Sequence, residues 1–195
     1  MAHRIKPLLE PSGYLMSILL LGVALSAKGA TTPTWKLEGE SSKIELVGVA
    51  EDRKAVAEVG HFDANVDLNL KNPSASSVVV IVDAASITTG DATIDAMLHG
   101  RKWFKVERYP EIVFRSTEIL GPSEGKMSIE GELSVLDTTR EVVVPMEIEQ
   151  AESRIHVQGS LELDRTDYDV GQAAWRSDDT VEHEVKVVFD LTLVR

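Results

Sequence analysis

Apolar and polar residues alternate with a period of two over most of the chain. Met127, Ile129, Gly131, Leu133 and Val135 share one parity, against Ser128, Glu130, Glu132 and Ser134 on the other. The same rhythm sets Val142, Val144, Met146 and Ile148 against Glu141, Glu147 and Glu149, and Ile155, Val157, Gly159, Leu161 and Leu163 against His156, Gln158 and Glu162. Val185, Val187, Phe189, Leu191 and Leu193 oppose Glu184, Lys186, Asp190 and Thr192 near the C-terminus. Patterning of this kind predicts half-buried antiparallel strands. Earlier in the chain it predicts strands over residues 34–37 and 43–51, with Gly48 as a bulge. Residues 56–70 read as one long strand with Val56, Glu58, Gly60, Phe62 and Ala64 on a single face, and residues 77–87 as the next. Asn72-Pro73-Ser74 and Gly121-Pro122-Ser123 carry turn chemistry.

One helix interrupts the strands. Asp91 suits an N-cap, Asp95 lies where negative charge favours the helix dipole, and Ile94, Met97 and Leu98 fall on one face. Gly100 is placed to close it in a left-handed conformation. Trp103, Phe104 and Tyr109 follow, and Pro110 pushes Tyr109 out of helical geometry. About eight strands and one short helix suggest an all-β, closed antiparallel β-barrel with the helix near its mouth; a two-sheet sandwich has the same alternation. The inward positions are apolar, with Gly60, Ala64, Gly131 and Gly159 among them. A barrel of this size either fills with side chains or holds one ligand.

Composition narrows the chemistry. The 195 residues contain no cysteine, so disulfides and thiolate chemistry are excluded. A net charge of −12, without a basic cluster, repels phosphate backbones, and no nucleic acid partner is expected. At the N-terminus, His3, Arg4 and Lys6 precede a Leu-rich run that ends in small residues. The run is shorter than the roughly 20 residues of a spanning helix. Residues 1–27 are therefore expected to be a signal peptide, with Ala27 the better cleavage position.

Several stretches together resemble the YceI family. They are Thr88-Thr89-Gly90, the helix from Asp95 to Leu98, the W-F-x-V-E-x-Y-P run from Trp103 to Pro110, and Phe114-Arg115-Ser116. Gly60-His61-Phe62, Gly131-Glu132-Leu133-Ser134, Thr139-Arg140-Glu141-Val142 and Leu163-Asp164-Arg165-Thr166-Asp167-Tyr168 extend the likeness. The chain departs from the family pattern at Asp137-Thr138, where a Gly is usual, and at Asp91, where Asn is frequent. The resemblance implies a lipocalin-like barrel over residues 34–195, periplasmic or secreted, that holds a long-chain isoprenoid or fatty-chain amphiphile. It implies no cofactor and no covalent step, and a homodimer is compatible with it. An enzyme acting on such a lipid, or an interaction module for a membrane redox protein, are the competing classes.

The candidate ligand-binding residues are Phe62, Ala64, Phe114, Gly131 and Gly159 on inward parities, Met97 and Leu98 on the helix, and Trp103, Phe104 and Trp175 as aromatics at the entrance. No catalytic or metal site is expected. His61, His99, His156 and His183 lack zinc spacing, and His61 and His156 fall on outward parities. Asp91 and Asp95 could mimic a carboxylate pair, but capping by the first and dipole complementation by the second account for them. Asp178-Asp179 reads as a solvated loop.

Overall fold

The computed structural model describes residues 34–123 and 126–195. The expected signal peptide lies outside them. The strands are β1 (Thr34–Leu37), β2 (Lys43–Ala50), β3 (Arg53–Val59), β4 (Phe62–Asp67), β5 (Ser77–Asp83) and β6 (Ile87–Thr88), then helix α1 (Ala92–His99). After the helix come β7 (Glu111–Ser123), β8 (Lys126–Val135), β9 (Thr138–Ala151), β10 (Arg154–Asp164) and β11 (Glu184–Val194). Every pairing is antiparallel, and the ring closes because β11 pairs with both β1 and β2. β1 with β2, β3 with β4, and β5 with β6 each run on as one interrupted stave, so the 11 segments build an eight-stave barrel. Closure removes the exposed edges that a sandwich would leave.

The interruptions correct the strand reading in three places. The long strand expected over residues 56–70 breaks at Gly60-His61. There the Gly60 N–H donates to the Ser86 carbonyl at 3.0 Å and the His61 N–H to Ser86 Oγ at 2.9 Å. The corner flips the parity, so Ala57 and Val59 are the buried residues of β3 and Glu58 is exposed. Beyond it Phe62, Ala64 and Val66 face inward as expected. Strand 77–87 likewise stops at Asp83, whose carboxylate caps a 3₁₀ turn by accepting from the Ala85 N–H at 2.9 Å. In β7 the register slips between Ser116 and Glu118, a bulge that moves the inward face to Ile119.

Local turn chemistry differs from expectation too. Gly48 is no bulge: it pairs with Ala55 in unbroken register. Glu51 and Asp52 both take positive φ, the two-residue hairpin geometry that matches strand twist. β7 continues through Gly121-Pro122-Ser123 rather than turning there. Gly100 closes α1 in extended, not left-handed, geometry. At Asp137 the family's Gly is not needed, because the left-handed residue of that hairpin is Leu136.

One ladder is short. β9 and β10 pair from Ala151↔Arg154 only as far as Met146↔Gly159. The break begins at Pro145, which has no N–H to donate. Beyond it residues 139–145 pair with β8 alone, and residues 160–164 with β11 alone.

Two core clusters occupy the barrel. One, around Trp35, Ile129, Met146 and Ile155, closes the end away from the helix; its Trp35 Nε1 donates to the Leu68 carbonyl at 3.2 Å. The other, around Ile87, Trp103, Phe104 and Tyr168, lies under α1. Phe189 and Leu191 touch both.

Candidate functional site

Between the clusters lies a cavity of about 370 Å³. Its wall is apolar along the barrel, and the polar side chains on it are Thr89, Arg165 and Tyr168. Ala55 and Ile94 line the cavity yet are exposed, Ile94 by 43%. They mark the mouth, which opens between α1 and the β2–β3 hairpin. The small pair Gly48↔Ala55 leaves the room for it.

Side-chain hydrogen bonds hold α1 over this mouth. Asp91 Oδ1 accepts from the Thr93 and Ile94 amides at 2.8 and 3.2 Å, as an N-cap does. Asp95 does more than complement the dipole. Its carboxylate accepts from Thr88 Oγ1 at 2.6 Å, the Thr89 N–H at 2.7 Å and Thr89 Oγ1 at 2.8 Å. His99 Nε2 meets the Ile87 carbonyl at 2.8 Å. These contacts tie the helix to β6 and point Met97 and Leu98 into the cavity.

The Thr88 hydroxyl first, then the Thr89 amide and hydroxyl, hold the Asp95 carboxyl below its ordinary pKa. A carboxyl depressed on folding contributes stability above its unfolded pKa, about 4, and loses it as pH falls through the folded value. The melting-temperature difference between wild type and Asp95→Asn should therefore be constant from pH 7 to about pH 5. It should narrow at more acid pH; a difference that does not change with pH would sink the latch.

On the cavity wall Arg165 is buried, 4% exposed, and among the described residues no carboxylate pairs with it. Its guanidinium donates instead to main-chain carbonyls. Nε reaches Glu182 at 3.0 Å, Nη1 reaches Val170 at 3.0 Å and Gly171 at 3.4 Å, and Nη2 reaches Val181 at 2.7 Å and Ser177 at 3.3 Å. All five donors are used. Burial pulls its pKa down, and the charges of Asp164 and Asp178 oppose that. Gly171 has φ +80°, and a Cβ there would strike the guanidinium. The group stacks 5.4 Å from the Trp103 ring, whose Nε1 is buried without a hydrogen-bond partner among the described residues. Trp175 packs against Trp103 in a tilted pair, ring centroids 5.8 Å apart at 57°.

Six of the residues singled out in the sequence line the cavity: Ala64, Met97, Leu98, Trp103, Phe104 and Phe114. Four do not. Phe62 packs against the cluster under α1 without reaching the cavity wall, and Trp175 backs Trp103. Gly131 and Gly159 face inward but open no space, because aromatic rings cover them. A Cβ on Gly131 would come within 2.6 Å of the Phe114 ring, and one on Gly159 within 2.5 Å of the Phe189 ring. Arg165 and Tyr168 also line the wall, and sequence reasoning does not single them out. Both sit in a segment quoted for the family likeness, but nothing in its spacing reveals which carbonyls an arginine will meet. The histidines are scattered: His156 pairs with Asp190 at 2.6 Å, His183 meets the Arg176 carbonyl at 2.8 Å, and His61 is exposed.

Comparisons with known proteins agree with this architecture. The chain is 32% identical over 87 residues to a UPF0312 protein of Photorhabdus laumondii, a stretch covering 45% of each. It thus spans about half the length of the curated relatives it matches. Among solved structures, BcnA of Burkholderia cenocepacia superposes with a TM-score of 0.77 at 24% identity, over 80% of this chain and 98% of that one. A polyisoprenoid binding domain from Saccharophagus degradans gives 0.64 at 13% identity, over 82% and 97%. At these identities the likeness is one of fold. The YceI-like domain itself matches residues 35–193, and with the closed barrel and its helix-covered mouth this makes the chain a member of the YceI-like family.

Proposed function

We propose that the barrel sequesters or carries a long-chain isoprenoid or similar amphiphile in the periplasm or outside the cell. The observation that carries this reading is the cavity: about 370 Å³, apolar along its length, and open beside α1. Such volume falls in the range of small-molecule sites, and burial alone supplies the binding energy. Each CH₂ removed from water contributes about 0.8 kcal/mol, so ten of them contribute about 8 kcal/mol before the costs of ordering. Few polar contacts are needed.

The wall offers little to a catalyst. Asp91 and Asp95 are taken up by the cap and the latch, and the Arg165 donors are all bound to carbonyls. This favours a binding protein over an enzyme. The polyisoprenoid binding neighbour from Saccharophagus degradans lends the chain type its support.

Native mass spectrometry of the protein exported by its own host tests the reading. The expected spectrum shows a chain lacking residues up to about Ala27, with a lipid of long-chain mass that leaves on activation. A ligand-free chain that also fails to bind long-chain fluorescent probes would overturn the lipid reading. A chain retaining Met1 would overturn export. The same spectrum reports whether the protein pairs with itself.

A further inference from the structure

The short β9–β10 ladder leaves a slot of about 270 Å³ in the barrel wall. Arg140 and Glu141 stand on its β9 side, and Glu162, Asp164, Asp167 and Tyr168 on the other. Leu161, Leu163 and Tyr168 belong to both the slot and the main cavity, so these three side chains are the partition between them. Resting on the reading above, we propose that this slot receives the polar head of the bound amphiphile, and that the head it fits is uncharged and oxygen-bearing.

Three observations converge on this. Tyr168 is 3% exposed, and its hydroxyl has no hydrogen-bond partner among the described residues. The oxygen itself is not sealed in the core, since among the described residues Trp103 Nε1 alone is a buried polar side-chain atom without a partner; the donor is therefore open to a ligand oxygen in the slot that Tyr168 lines. Burial raises its pKa, which keeps the phenol protonated and a donor at neutral pH. Second, in an antiparallel strand alternate N–H and C=O groups point to each neighbour. Residues 160–164 pair only with β11, so those turned toward β9 are left for another partner.

Charge decides the kind of head. Glu141, Glu162, Asp164 and Asp167 ring the slot, and its one cation, Arg140, is already bound to Asp167 through Nη2–Oδ1 at 3.3 Å and Nε to the main-chain oxygen at 3.1 Å. A phosphate or carboxylate would meet like charge; a hydroxyl or carbonyl would not. Between slot and cavity stand the side chains of Leu161, Leu163 and Tyr168, with no ladder between β9 and β10 at that height.

Competition of hexadecanol, palmitate and hexadecane against a fluorescent alkyl probe, on the exported protein at neutral pH, tests this. Hexadecanol is expected to compete more tightly than either of the others. Tyr168→Phe should weaken hexadecanol about three- to tenfold, the loss of one hydrogen bond, and leave hexadecane unchanged. The ranking of the three on wild type needs no variant, so it stands even if Tyr168→Phe melts early. A probe that does not bind at all refutes the cavity, and the slot with it. A probe that binds, with palmitate the tightest competitor or with hexadecanol indifferent to Tyr168→Phe in a folded variant, refutes the slot alone.

Discussion

Arg165→Met should destabilise the protein by about 3–5 kcal/mol, and the melting temperature should fall by roughly 10 °C or more. Methionine has a similar length and fills the space beside Trp103. It cannot donate to the carbonyls of Val170, Gly171, Ser177, Val181 and Glu182, which the guanidinium gathers from across the loop between β10 and β11. Buried carbonyls left without donors cost their desolvation. Arg165→Lys should recover little, because an ammonium has three donors and no planar fork to reach five acceptors. Thermal melting of both variants checks this. A loss under 1 kcal/mol for Arg165→Met would show that the loop is held by something other than the arginine.

Gly159→Leu is the second large effect, expected at about 2–3 kcal/mol or more and thus roughly 5–10 °C in melting temperature. The reason is contact on two sides. A Cβ at this position would lie 2.5 Å from the Pro145 carbonyl oxygen and 2.5 Å from the Phe189 ring. The ring can swing away, but only into the cavity it lines; the carbonyl belongs to the backbone of β9. Long-chain probe binding should therefore weaken together with stability. Gly131→Leu should behave similarly, since its Cβ would meet the Arg115 carbonyl at 2.5 Å and the Phe114 ring at 2.6 Å. Melting and probe binding measured on one preparation decide the matter. A variant as stable as wild type would mean that the glycines do border open space.

These glycines show where reading by parity stops. Alternation assigns Gly131 and Gly159 to the inner face correctly, but it says nothing of what lies above them. Phe189 stands directly across from Gly159 in the β10–β11 ladder. Phe114 reaches Gly131 diagonally from beside Leu133. An aromatic ring leaning over a glycine is a register effect between strands, invisible along either one. The same holds for Arg165. Its five acceptors are main-chain carbonyls, which every residue carries and no sequence position advertises.

Local sequence determined a good deal. Inward apolar parities set β8, β9, β10 and β11, because a two-residue period leaves one face for water and one for the core. Asp91, with Ile94, Met97 and Leu98 following, defines the helix and its apolar stripe, which the structure turns to the cavity. Tertiary structure decided the rest. It broke the strand of residues 56–70 at Gly60-His61, because Ser86 from a distant turn binds that corner. A bulge in β7 turned Ile119 inward. Most of all, Pro145 reads as an ordinary outward position of β9, yet it marks where that strand parts from β10. A residue's own chemistry says which hydrogen bond it cannot make; only the closed barrel says which neighbour is lost and what space opens there.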